Sequence, residues 1–485
     1  MGNRRTIRFL LNGELREVVP TSPTQSLLTY LREDERATGT KEGCAEGDCG
    51  ACTVTEAELT ETGEVRFRSI NACIRFLPTF DGRAIWTVEG IASPDGTLHP
   101  AQQAMVDHHG SQCGFCTPGF VMSMYTMYQN GESQPSRERV LDCLSGNLCR
   151  CTGYRPIVDA AMHMGDYPQV KTCGNSLAEQ LKAIRPETLL EVTTEAGNRF
   201  YAPATVEELA ALYEANPDAV ILAGGTDVGL WVTKHLMDLK TVIYIGGIQG
   251  LKKIEQRDGG IEIGAAVLLN DAFPVVVEQY PEMEELWKRF SSTPIRNSGT
   301  FVGNLANGSP IGDNPPPMIA VGAKVVLRKG DRRREMALED LYLAYRKQAR
   351  EEGEFVESVI VPLRRESVKV AVYKLSKRYD QDISAVCAAF AFEIENGRVK
   401  DARIAYGGMA ATPKRATAAE AALNGASWDE AAVQKAMEAM DQDYQPMTDM
   451  RATKEYRMTT AKNLVYRFYL ETTGEFEASL YAANN

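Results

Sequence analysis

The apolar positions of the first 90 residues predict a small module of strands around one helix. Thr6–Val19 indicates a β-hairpin, because two apolar runs flank Asn12-Gly13, a pair that favours a type I′ turn. Residues 24–31 have helical spacing, with Ser22 or Thr24 available as the N-cap. Strands are expected at 64–71 and 84–88. This succession predicts a β-grasp-like module.

The pattern then becomes helical up to residue 164. Helices are expected at 100–109, 118–130, 135–144 and 155–164. Glycines at positions 110, 131 and 146 stand where C-terminal helix caps are common. Two helix hairpins that face each other would form a four-helix bundle.

Residues 165–200 are interrupted by glycine and proline and are predicted to form a linker. An α/β pattern begins at Tyr201, with a capping box from Thr205 to Glu208 and a short strand at 219–223. After about residue 365 the pattern becomes antiparallel and predicts an α+β arrangement. The expected elements there are strands at 368–374, 383–393 and 399–407 and helices at 416–423 and 429–439.

Charge and hydropathy exclude two classes of partner. The 485 residues suggest about three domains, and the net charge of −12 argues against a nucleic-acid-binding face. No apolar run reaches about 18 residues, so no transmembrane helix is expected. Residues 1–6 fit a loose myristoylation pattern and Arg4-Arg5 faintly suggests a twin-arginine signal, but the following apolar stretch is short. We therefore expect a cytoplasmic protein.

The cysteines are concentrated in one part of the chain. Nine of the eleven lie within residues 44–151. This clustering favours metal binding over scattered core thiols, with a disulfide scaffold as the alternative. Three thiols, Cys143 within this region and Cys173 and Cys387 outside it, are interpreted as packing residues. For Cys143 the alternative is that it replaces Cys149 as a ligand, since the two are close in sequence.

The spacing of the first cysteine set is typical of one kind of cluster. Cys44-x4-Cys49-x2-Cys52, followed by Cys73, is the spacing of plant-type 2Fe–2S ferredoxins. Glycines at positions 43, 47 and 50 allow the loop to wrap closely around four thiolates. A zinc site is the alternative, although zinc knuckles more often pair two C-x2-C units.

A second set of cysteines lies between the predicted helices. Cys113 and Cys116 separate the first helix pair, and Cys149 and Cys151 separate the second. The bundle would bring these four thiols together at one end. The spacing matches no common zinc finger, although zinc remains an alternative.

Two small, polar stretches indicate a phosphate-bearing cofactor. The strand at 219–223 leads directly into Gly224-Gly225-Thr226-Asp227, where backbone N–H groups can approach a phosphate. A plain tight turn is the alternative, since neither a Rossmann nor a Walker A fingerprint is present. Residues 297–313 form a second such stretch, with a solvated surface loop as the alternative. Two loops of this kind could enclose a diphosphate cofactor, with Asp313 accepting hydrogen bonds from it.

These motifs together resemble those of xanthine dehydrogenases and related molybdenum hydroxylases. Lys41–Val54 resembles the first cluster loop of that family, and Gln112–Gly119 with Gly146–Ile157 resembles the second. Ala223–Thr226 and Gly303–Asp313 resemble the flavin-domain loops. The resemblance implies an α+β multidomain chain. Its expected parts are a β-grasp plant-type 2Fe–2S ferredoxin domain (1–90), a four-helix-bundle 2Fe–2S domain (91–165), a linker (166–195), an α/β FAD-binding domain (196–363) and a C-terminal α+β antiparallel-sheet flavoprotein domain (364–485).

The resemblance also implies roles for individual residues. The implied metal ligands are Cys44, Cys49, Cys52, Cys73, Cys113, Cys116, Cys149 and Cys151. The implied FAD contacts are Leu222, Ala223, Gly224, Gly225, Thr226, Asp227, Phe290, Thr300, Gly303, Asn304, Ser309, Asp313, Lys374 and Asp382. Tyr345, Arg346 and Lys347 are expected on the NAD side, and Gln112 is expected to face a partner's pterin. Ser384 departs from the alanine that family members often have there.

The resemblance further implies a function. The chain looks like the small subunit of a two-subunit xanthine dehydrogenase, with two 2Fe–2S clusters, FAD and NAD+ as co-substrate. Molybdopterin would lie only in a large partner subunit, as in an α2β2 heterotetramer. Electrons would pass from that partner through the Cys113 set and the Cys44 set to FAD, which would reduce NAD+ by hydride transfer. No side chain need act as a general acid or base. An equivalent subunit for an aldehyde, nicotinate or carbon monoxide hydroxylase is one alternative, and a zinc-binding scaffold is another.

Overall fold

The computed structural model describes residues 4–60, 62–170 and 176–474. The chain divides into two compact units. The first consists of Met1–Leu251, Leu268–Asn270 and Ser291–Thr300, and the second of Lys252–Val267, Asp271–Phe290 and Phe301–Asn485. The expected fold class, a multidomain α+β chain, is confirmed.

The first unit begins with a five-stranded mixed sheet. Its strands, in spatial order, are Glu14–Val18, Ile7–Leu11, Ala84–Trp86, Thr53–Leu59 and Val65–Asn71. The predicted hairpin is present, with Leu11 opposite Glu14 and positive φ angles of 52° at Asn12 and 87° at Gly13. The first strand runs parallel to Ala84–Trp86, which completes the β-grasp arrangement.

The helix predicted at residues 24–31 begins three residues later than expected and is only partly α-helical. It consists of Leu27–Thr29 followed by a π-helical turn at Tyr30–Asp34. The predicted N-cap is wrong, because Ser26 accepts the hydrogen bond from the backbone N–H of Thr29. Short 3₁₀ helices follow at Leu77–Phe80 and Val88–Gly90.

The predicted helix bundle is present. Its four helices are Pro100–Asp107, Thr117–Gln129, Arg137–Leu144 and Arg155–His163, and all lie close to their predicted bounds. Their apolar faces share one core with residues of the sheet, including Phe67 and Trp86. The bundle and the β-grasp module therefore pack directly against each other.

The segment predicted to be a linker carries regular structure. The helix Ser176–Ala183 and the strand Leu190–Thr193 lie within it, and a 3₁₀ turn at Met164–Asp166 overlaps its start. Leu177 and Leu181 of that helix are buried in the bundle core. Cys173 lies outside the described residues.

The rest of the first unit is the predicted α/β layer. Its sheet contains, in spatial order, Leu190–Thr193, Arg199–Ala202, Thr241–Tyr244 and Val220–Leu222. The last two pairings are parallel, and the crossover elements are the helices Val206–Ala215 and Val228–Thr233. The 3₁₀ turn Gln249–Leu251 and the helix Thr293–Arg296 complete the unit. Thr205 caps Val206–Ala215 as expected, by accepting from the N–H of Glu208.

The second unit contains two sheets. The first has the order Ile254–Arg257, Gly260–Gly264, Phe355–Pro362, Lys324–Lys329 and Arg332–Ala337 and is antiparallel throughout. The hairpin Tyr342–Ala344 and Lys347–Gln348 is separate from it. The helical elements of this part of the chain are Leu269–Gln279, Pro281–Met283, Glu284–Lys288, Phe301–Asn307, Pro315–Ala320 and Leu338–Leu341.

The second sheet of this unit has the predicted antiparallel texture. Its strands are Val368–Leu375, Val386–Glu395, Arg398–Gly407 and Lys414–Arg415, in that order. The helices Thr417–Leu423, Glu430–Asp443 and Lys454–Thr473 accompany it. The last of these helices was not predicted. Its Phe468 packs against Phe390 and Phe392 of the sheet. No helix in the described part of the chain is both long and apolar enough to cross a membrane.

Candidate iron–sulfur and flavin sites

The first cysteine loop brings its four predicted ligands together. Cys52 and Cys73 are buried, and Cys44 and Cys49 are half-buried. The Cys44 thiol is within hydrogen-bonding reach of the thiols of Cys49 and Cys73, and Cys73 also reaches Cys52. Three residues of one loop and Cys73, which lies 21 positions after Cys52, therefore converge on one point.

Backbone donors point at these sulfur atoms. The N–H groups of Glu46 and Cys49 donate to Cys44 Sγ at 3.5 and 3.4 Å. Asn71 Nδ2 lies 3.8 Å from Cys52 Sγ. Hydrogen bonds from Cys49, and then Cys73, lower the pKa of the Cys44 thiol, and the same hydrogen bonds raise the pKa of the Cys49 and Cys73 thiols.

Glycines allow the close wrapping that the sequence predicted. Gly47 and Gly50 have positive φ angles of 78° and 69°. A Cβ at Gly43 would lie 2.9 Å from Cys49 Sγ. Larger residues would collide with a ligand or strain the turn at these positions.

The second cysteine set is also brought together, but at the surface. Cys149 is buried and Cys116 half-buried, whereas Cys113 and Cys151 are exposed. The thiols pair as Cys113 with Cys151 and Cys116 with Cys149. The end of the bundle therefore presents one edge of this site to solvent.

Hydrogen bonds also surround Cys149. The N–H groups of Cys151 and Thr152 each donate to Cys149 Sγ at 3.4 Å. Burial raises the pKa of the Cys149 thiol, but hydrogen bonds from Thr152 and Cys151 outweigh burial and lower that pKa to about 7. The Tyr154 hydroxyl accepts from the Cys149 N–H at 3.0 Å and fixes the loop from the other side.

The two cysteine loops are in direct contact. The N–H of Leu148 donates to the carbonyl of Cys49 at 2.9 Å. Asn147, which the sequence interpretation did not single out, donates from Nδ2 to the Gly50 carbonyl at 3.1 Å. A Cβ at Gly119 would lie 2.2 Å from that same carbonyl. Asn147 stands within the motif that carries the second cysteine pair, but its contact with the first loop is not visible in the sequence.

The donor sets fit 2Fe–2S clusters. Each set supplies four thiols together with backbone N–H donors, which is the environment such a cluster needs. A site for a single metal ion is a different arrangement: in residues 4–60, 62–170 and 176–474, no group of three His, Cys, Asp or Glu side chains could hold one such ion. None of the ten cysteines in that part forms a disulfide. Burial raises the pKa of the Cys143 thiol to about 12, as expected for a packing residue.

The glycine turn of the first unit packs against a second predicted flavin segment. A Cβ at Gly224 would lie 1.7 Å from the carbonyl oxygen of Ser298, and one at Gly299 would lie 3.2 Å from Thr226 Oγ1. Gly225 has a positive φ of 75°. The structure therefore brings residues 224–226 and 298–300 into direct contact, whereas the enclosure of a cofactor by the two stretches stays a prediction.

Three of the predicted flavin residues in this unit already have protein partners. Leu222 lies in the hydrophobic core, so that only its backbone can face a ligand. The Asp227 carboxylate accepts from Trp231 Nε1 at 3.1 Å. Thr300 is buried and forms a β-bridge with Leu268.

The turn also contacts the first cysteine loop. A Cβ at Gly229 would lie 2.5 Å from the carbonyl oxygen of Ile74, and one at Gly225 would lie 3.2 Å from it. Thr233, at the end of the same helix, donates to the Ala45 carbonyl at 2.7 Å. The segment that follows the glycine turn thus contacts Ala45 and Ile74, the neighbours of Cys44 and Cys73.

In the second unit, residues 301–313 are not one long loop. Phe301–Asn307 is a helix that buries Phe301, Val302 and Leu305, so this part of the prediction is wrong. Gly303 and Asn304 lie on it, and buried Asn304 Oδ1 has no hydrogen-bond partner in the described part of the chain. Ser309 and Asp313 follow in the loop.

Asp313 belongs to a buried polar cluster. Lys374 Nζ forms an ion pair with its carboxylate and donates to Ser384 Oγ at 2.9 Å. Ser384 donates to Asp313 Oδ1 at 2.5 Å. Lys374 also donates to the Asp382 carbonyl at 2.7 Å. Asp313, Lys374 and Ser384 are all buried, so the ion pair is held with little solvent.

Asp382 and Phe290 have local structural roles. The Asp382 carboxylate accepts from the N–H groups of Lys377 and Arg378 at 3.1 and 3.0 Å, which closes its own loop. Burial raises the pKa of the Asp382 carboxyl, but hydrogen bonds from Arg378 outweigh it and lower that pKa. Phe290 packs edge-to-face on Phe273 at 5.7 Å.

The residues predicted on the NAD side form an exposed hairpin tip. Tyr345 is exposed, and Arg346 has a positive φ of 57° in the turn. The Arg346 guanidinium lies 5.4 Å from the centre of the Tyr345 ring. Gln112, the predicted pterin contact, is exposed beside Cys113.

Family models match four successive parts of the chain. They are a 2Fe-2S iron-sulfur cluster binding domain at residues 9–76, a 2Fe-2S binding domain at 87–162, the FAD binding domain in molybdopterin dehydrogenase at 193–364, and the CO dehydrogenase flavoprotein C-terminal domain at 371–472. Together these matches cover both cysteine sets and the glycine turn.

Individual relatives agree with these matches. Xanthine dehydrogenase from Emericella nidulans is 33% identical over 98% of this chain and 39% of its own length. Xanthine dehydrogenase 1 from Arabidopsis thaliana is 31% identical over 97% of this chain and 40% of its own length. The chain thus spans about two-fifths of the length of these relatives.

A solved structure is similar as well. A chain of the carbon monoxide dehydrogenase from Hydrogenophaga pseudoflava is 31% identical, with a TM-score of 0.52, and the match covers 55% of this chain and 94% of that chain. With both iron–sulfur domains, the flavin domain and its C-terminal domain in one polypeptide, the chain belongs to the molybdenum hydroxylase family. It has the iron–sulfur and FAD-binding portion of that family.

Proposed function

We propose that this chain is the electron-transfer and NAD+-reducing subunit of a xanthine dehydrogenase. The observation that carries the proposal is the order of burial of the two cysteine sets. The Cys113 set is open to solvent at Cys113 and Cys151, whereas Cys52 and Cys73 of the first set are buried beside the glycine turn. This order suits a chain that takes electrons at its surface and delivers them to a flavin inside.

The bound groups would supply the redox chemistry. The 2Fe–2S clusters carry single electrons, and FAD exchanges both single electrons and hydride. The chain itself holds these groups, keeps the thiols of both sets in place through backbone N–H donors, and excludes water from Cys52 and Cys73. Clustered cysteines that bind metal rather than form disulfides suit a reducing compartment such as the cytoplasm.

Within each unit, different residues would hold FAD. In the first unit, the backbone N–H groups of Gly224, Gly225 and Thr226, just after the strand Val220–Leu222, are proposed to approach the diphosphate. In the second unit, Asp313 would accept hydrogen bonds from the cofactor while Lys374 compensates its buried charge. The exposed hairpin at Tyr345, like the remaining implied contacts, is proposed to face NAD+ or FAD on the resemblance alone.

A molybdopterin-bearing large subunit would dock at the second cysteine set, in an α2β2 heterotetramer. Phe115, Leu148 and Tyr154 surround this set with exposed fractions of 46%, 38% and 40%. Apolar side chains clustered beside an exposed redox site are typical of a protein interface. Gln112 lies in the same exposed stretch and is proposed to contact the pterin.

Cofactor analysis of the purified full chain tests the proposal. With two 2Fe–2S clusters and one flavin, the iron, the acid-labile sulfide and the FAD of each chain should be present in a ratio of about four to four to one. Zinc in place of iron, with no flavin absorption, would contradict it and favour the zinc scaffold.

Cys116→Ser tests the electron order. This variant should abolish turnover of xanthine with NAD+ in the assembled enzyme while NADH-to-dye activity stays near the wild-type rate. Cys143→Ser is the matched control, since Cys143 is buried on the neighbouring helix and belongs to neither set. Equal loss of both activities in Cys116→Ser would overturn the proposed order.

A second candidate is the equivalent subunit of another molybdenum hydroxylase. The similarity to a carbon monoxide dehydrogenase chain favours it. The assembled enzyme should be assayed with xanthine, an aldehyde, an N-heterocycle and carbon monoxide. Turnover of xanthine alone supports the first proposal, and turnover of another substrate without xanthine supports the second.

A further inference from the structure

Arg75 is a buried cation close to the first cysteine set. It follows Cys73 by two residues and is 4% exposed. Its guanidinium donates to Thr79 Oγ1 at 3.5 Å and lies 4.9 Å from the centre of the Phe80 ring. These contacts hold the charge at a fixed position inside the protein.

The charge of Arg75 is only partly compensated by its neighbours. Its Nη2 lies 3.6 Å from Glu56 Oε1, but the same oxygen is 2.6 Å from Arg83 Nη1. Two arginines therefore share one carboxylate, and Arg83 has the closer contact. Because Arg75 and Glu56 are both buried, solvent ions screen this arrangement weakly.

Arg75 also touches the segment that packs on the glycine turn. Its Nη1 donates to Ser298 Oγ at 3.4 Å, and the carbonyl of Ser298 packs on Gly224. A Cβ at Gly225 would lie 3.9 Å from Arg75 Cδ. Within the first unit, Arg75 thus lies between the first cysteine loop and the turn proposed to hold FAD.

We infer that Arg75 is a positioning residue that raises the reduction potential of the cluster held by the Cys44 set. Reduction adds one electron, and hence one negative charge, to a centre that four thiolates already make anionic. A fixed cation nearby stabilises the reduced form more than the oxidised form, because its attraction grows with the negative charge. The inference rests on the proposed function, since it requires a 2Fe–2S cluster at these cysteines.

Charge substitutions in the full, cofactor-loaded chain test it. Redox titration followed by electron paramagnetic resonance would give the midpoint potential of each cluster separately. Arg75→Gln should lower the potential of the first cluster and leave the second unchanged, and Arg75→Lys should restore most of the shift. Arg16→Gln is the control, because Arg16 lies in the same β-grasp module but pairs with Glu14 and Glu35.

Glu56→Gln gives a second, independent outcome. Removing this carboxylate leaves Arg75 less compensated, so the potential of the first cluster should rise. The inference is overturned if Arg75→Gln and Glu56→Gln shift the potential in the same direction, or if neither shifts it. Absence of any cluster signal in the wild-type chain would instead refute the proposed function.

Discussion

The N–H of Leu148 donates to the carbonyl of Cys49 at 2.9 Å, so the two cysteine loops meet through their backbones. Each of these residues is a ligand or the neighbour of a ligand: Cys49 belongs to the first set, and Leu148 precedes Cys149 of the second. This contact joins segments that are far apart in sequence. The short separation of the two sets is therefore built into the backbone rather than into flexible side chains.

Asn147 should be the main side chain that holds the two loops together. It donates to Gly50 and Thr53 at 3.1 Å each and accepts from Ser123 at 2.7 Å. Asn147→Ala should cost about 1–3 kcal/mol of unfolding free energy, because it leaves buried polar groups unpaired. It should also change the magnetic coupling of the two reduced clusters, measured by electron paramagnetic resonance.

Asn130→Ala is the matched control for this variant. Asn130 also joins the two iron–sulfur domains, by donating to the Phe67 carbonyl at 3.0 Å. It lies at the C-terminal end of the helix Thr117–Gln129, away from Cys116 at the N-terminal end. The Asn130→Ala variant should lower the stability while leaving the cluster signals unchanged. Unaltered coupling in Asn147→Ala would contradict the role given to Asn147.

Gly229→Ala should separate the helix after the glycine turn from the first cysteine loop. The added Cβ would lie 2.5 Å from the Ile74 carbonyl, so backbone has to shift. Overpacking of this kind typically costs about 1–3 kcal/mol. Stopped-flow absorption should show slower flavin reduction by the clusters, with iron and FAD contents unchanged.

Gly247→Ala provides the comparison for Gly229→Ala. A Cβ at Gly247 would meet nothing within 4 Å. Gly247 lies in the same α/β layer as Gly229, after the strand Thr241–Tyr244. Its flavin reduction rate should match that of the wild type. If the Gly229→Ala rate also matches, the Ile74 contact does not govern electron delivery.

His99 should make the stability depend on pH. It caps the helix Pro100–Asp107 by accepting from the Ala101 N–H at 3.1 Å, and burial lowers its pKa to about 4. The ordinary value of 6.5 applies in the unfolded chain. The unfolded chain therefore takes up a proton first, and stability falls as the pH drops below about 6.5, by about 1 kcal/mol at about pH 5.5.

His99→Asn isolates this effect, since asparagine also caps helices but does not titrate here. The free energy of unfolding should be measured for both proteins at about pH 7.5 and about pH 5.5, on either side of the ordinary histidine pKa. The wild type should lose more stability between these values than the variant. Equal losses would show that His99 is not the titrating group.

Asp313→Asn should destabilise the second unit strongly. It leaves Lys374 charged and buried without its carboxylate, and breaking such a pair typically costs about 3–5 kcal/mol. The double variant with Lys374→Met removes both charges and should recover much of the loss. Urea unfolding of the two single variants and the double variant, with FAD content measured in parallel, would test this. Additive losses would mean that the two side chains do not interact.

Local features of the fold were predictable from the sequence. The Asn12-Gly13 hairpin, the four bundle helices and the strands after residue 365 depend on turn chemistry and apolar spacing within a few residues, and the structure has them. The cysteine spacings likewise indicated two separate ligand sets, and the family models match both regions. The assigned ligands and cofactor contacts themselves stay predictions.

Other features depended on burial, which a single segment does not reveal. The helix Phe301–Asn307 forms although Gly303 and Asn304 are weak helix formers, because its apolar side is buried. The helix Ser176–Ala183 exists in a stretch interrupted by glycine and proline, because Leu177 and Leu181 fill the bundle core. Both helices are stabilised by packing partners that lie elsewhere in the chain.

The sequence by itself determined the spacing of two cysteine sets and so predicted the iron ligands, since ligand spacing within a loop is a local property. Only the tertiary structure decided that Cys49 touches Leu148, that Arg75 lies beside Ser298, and which cysteine set is buried. Such contacts join residues far apart in the chain, and their geometry follows from how the sheet, the bundle and the α/β layer pack together.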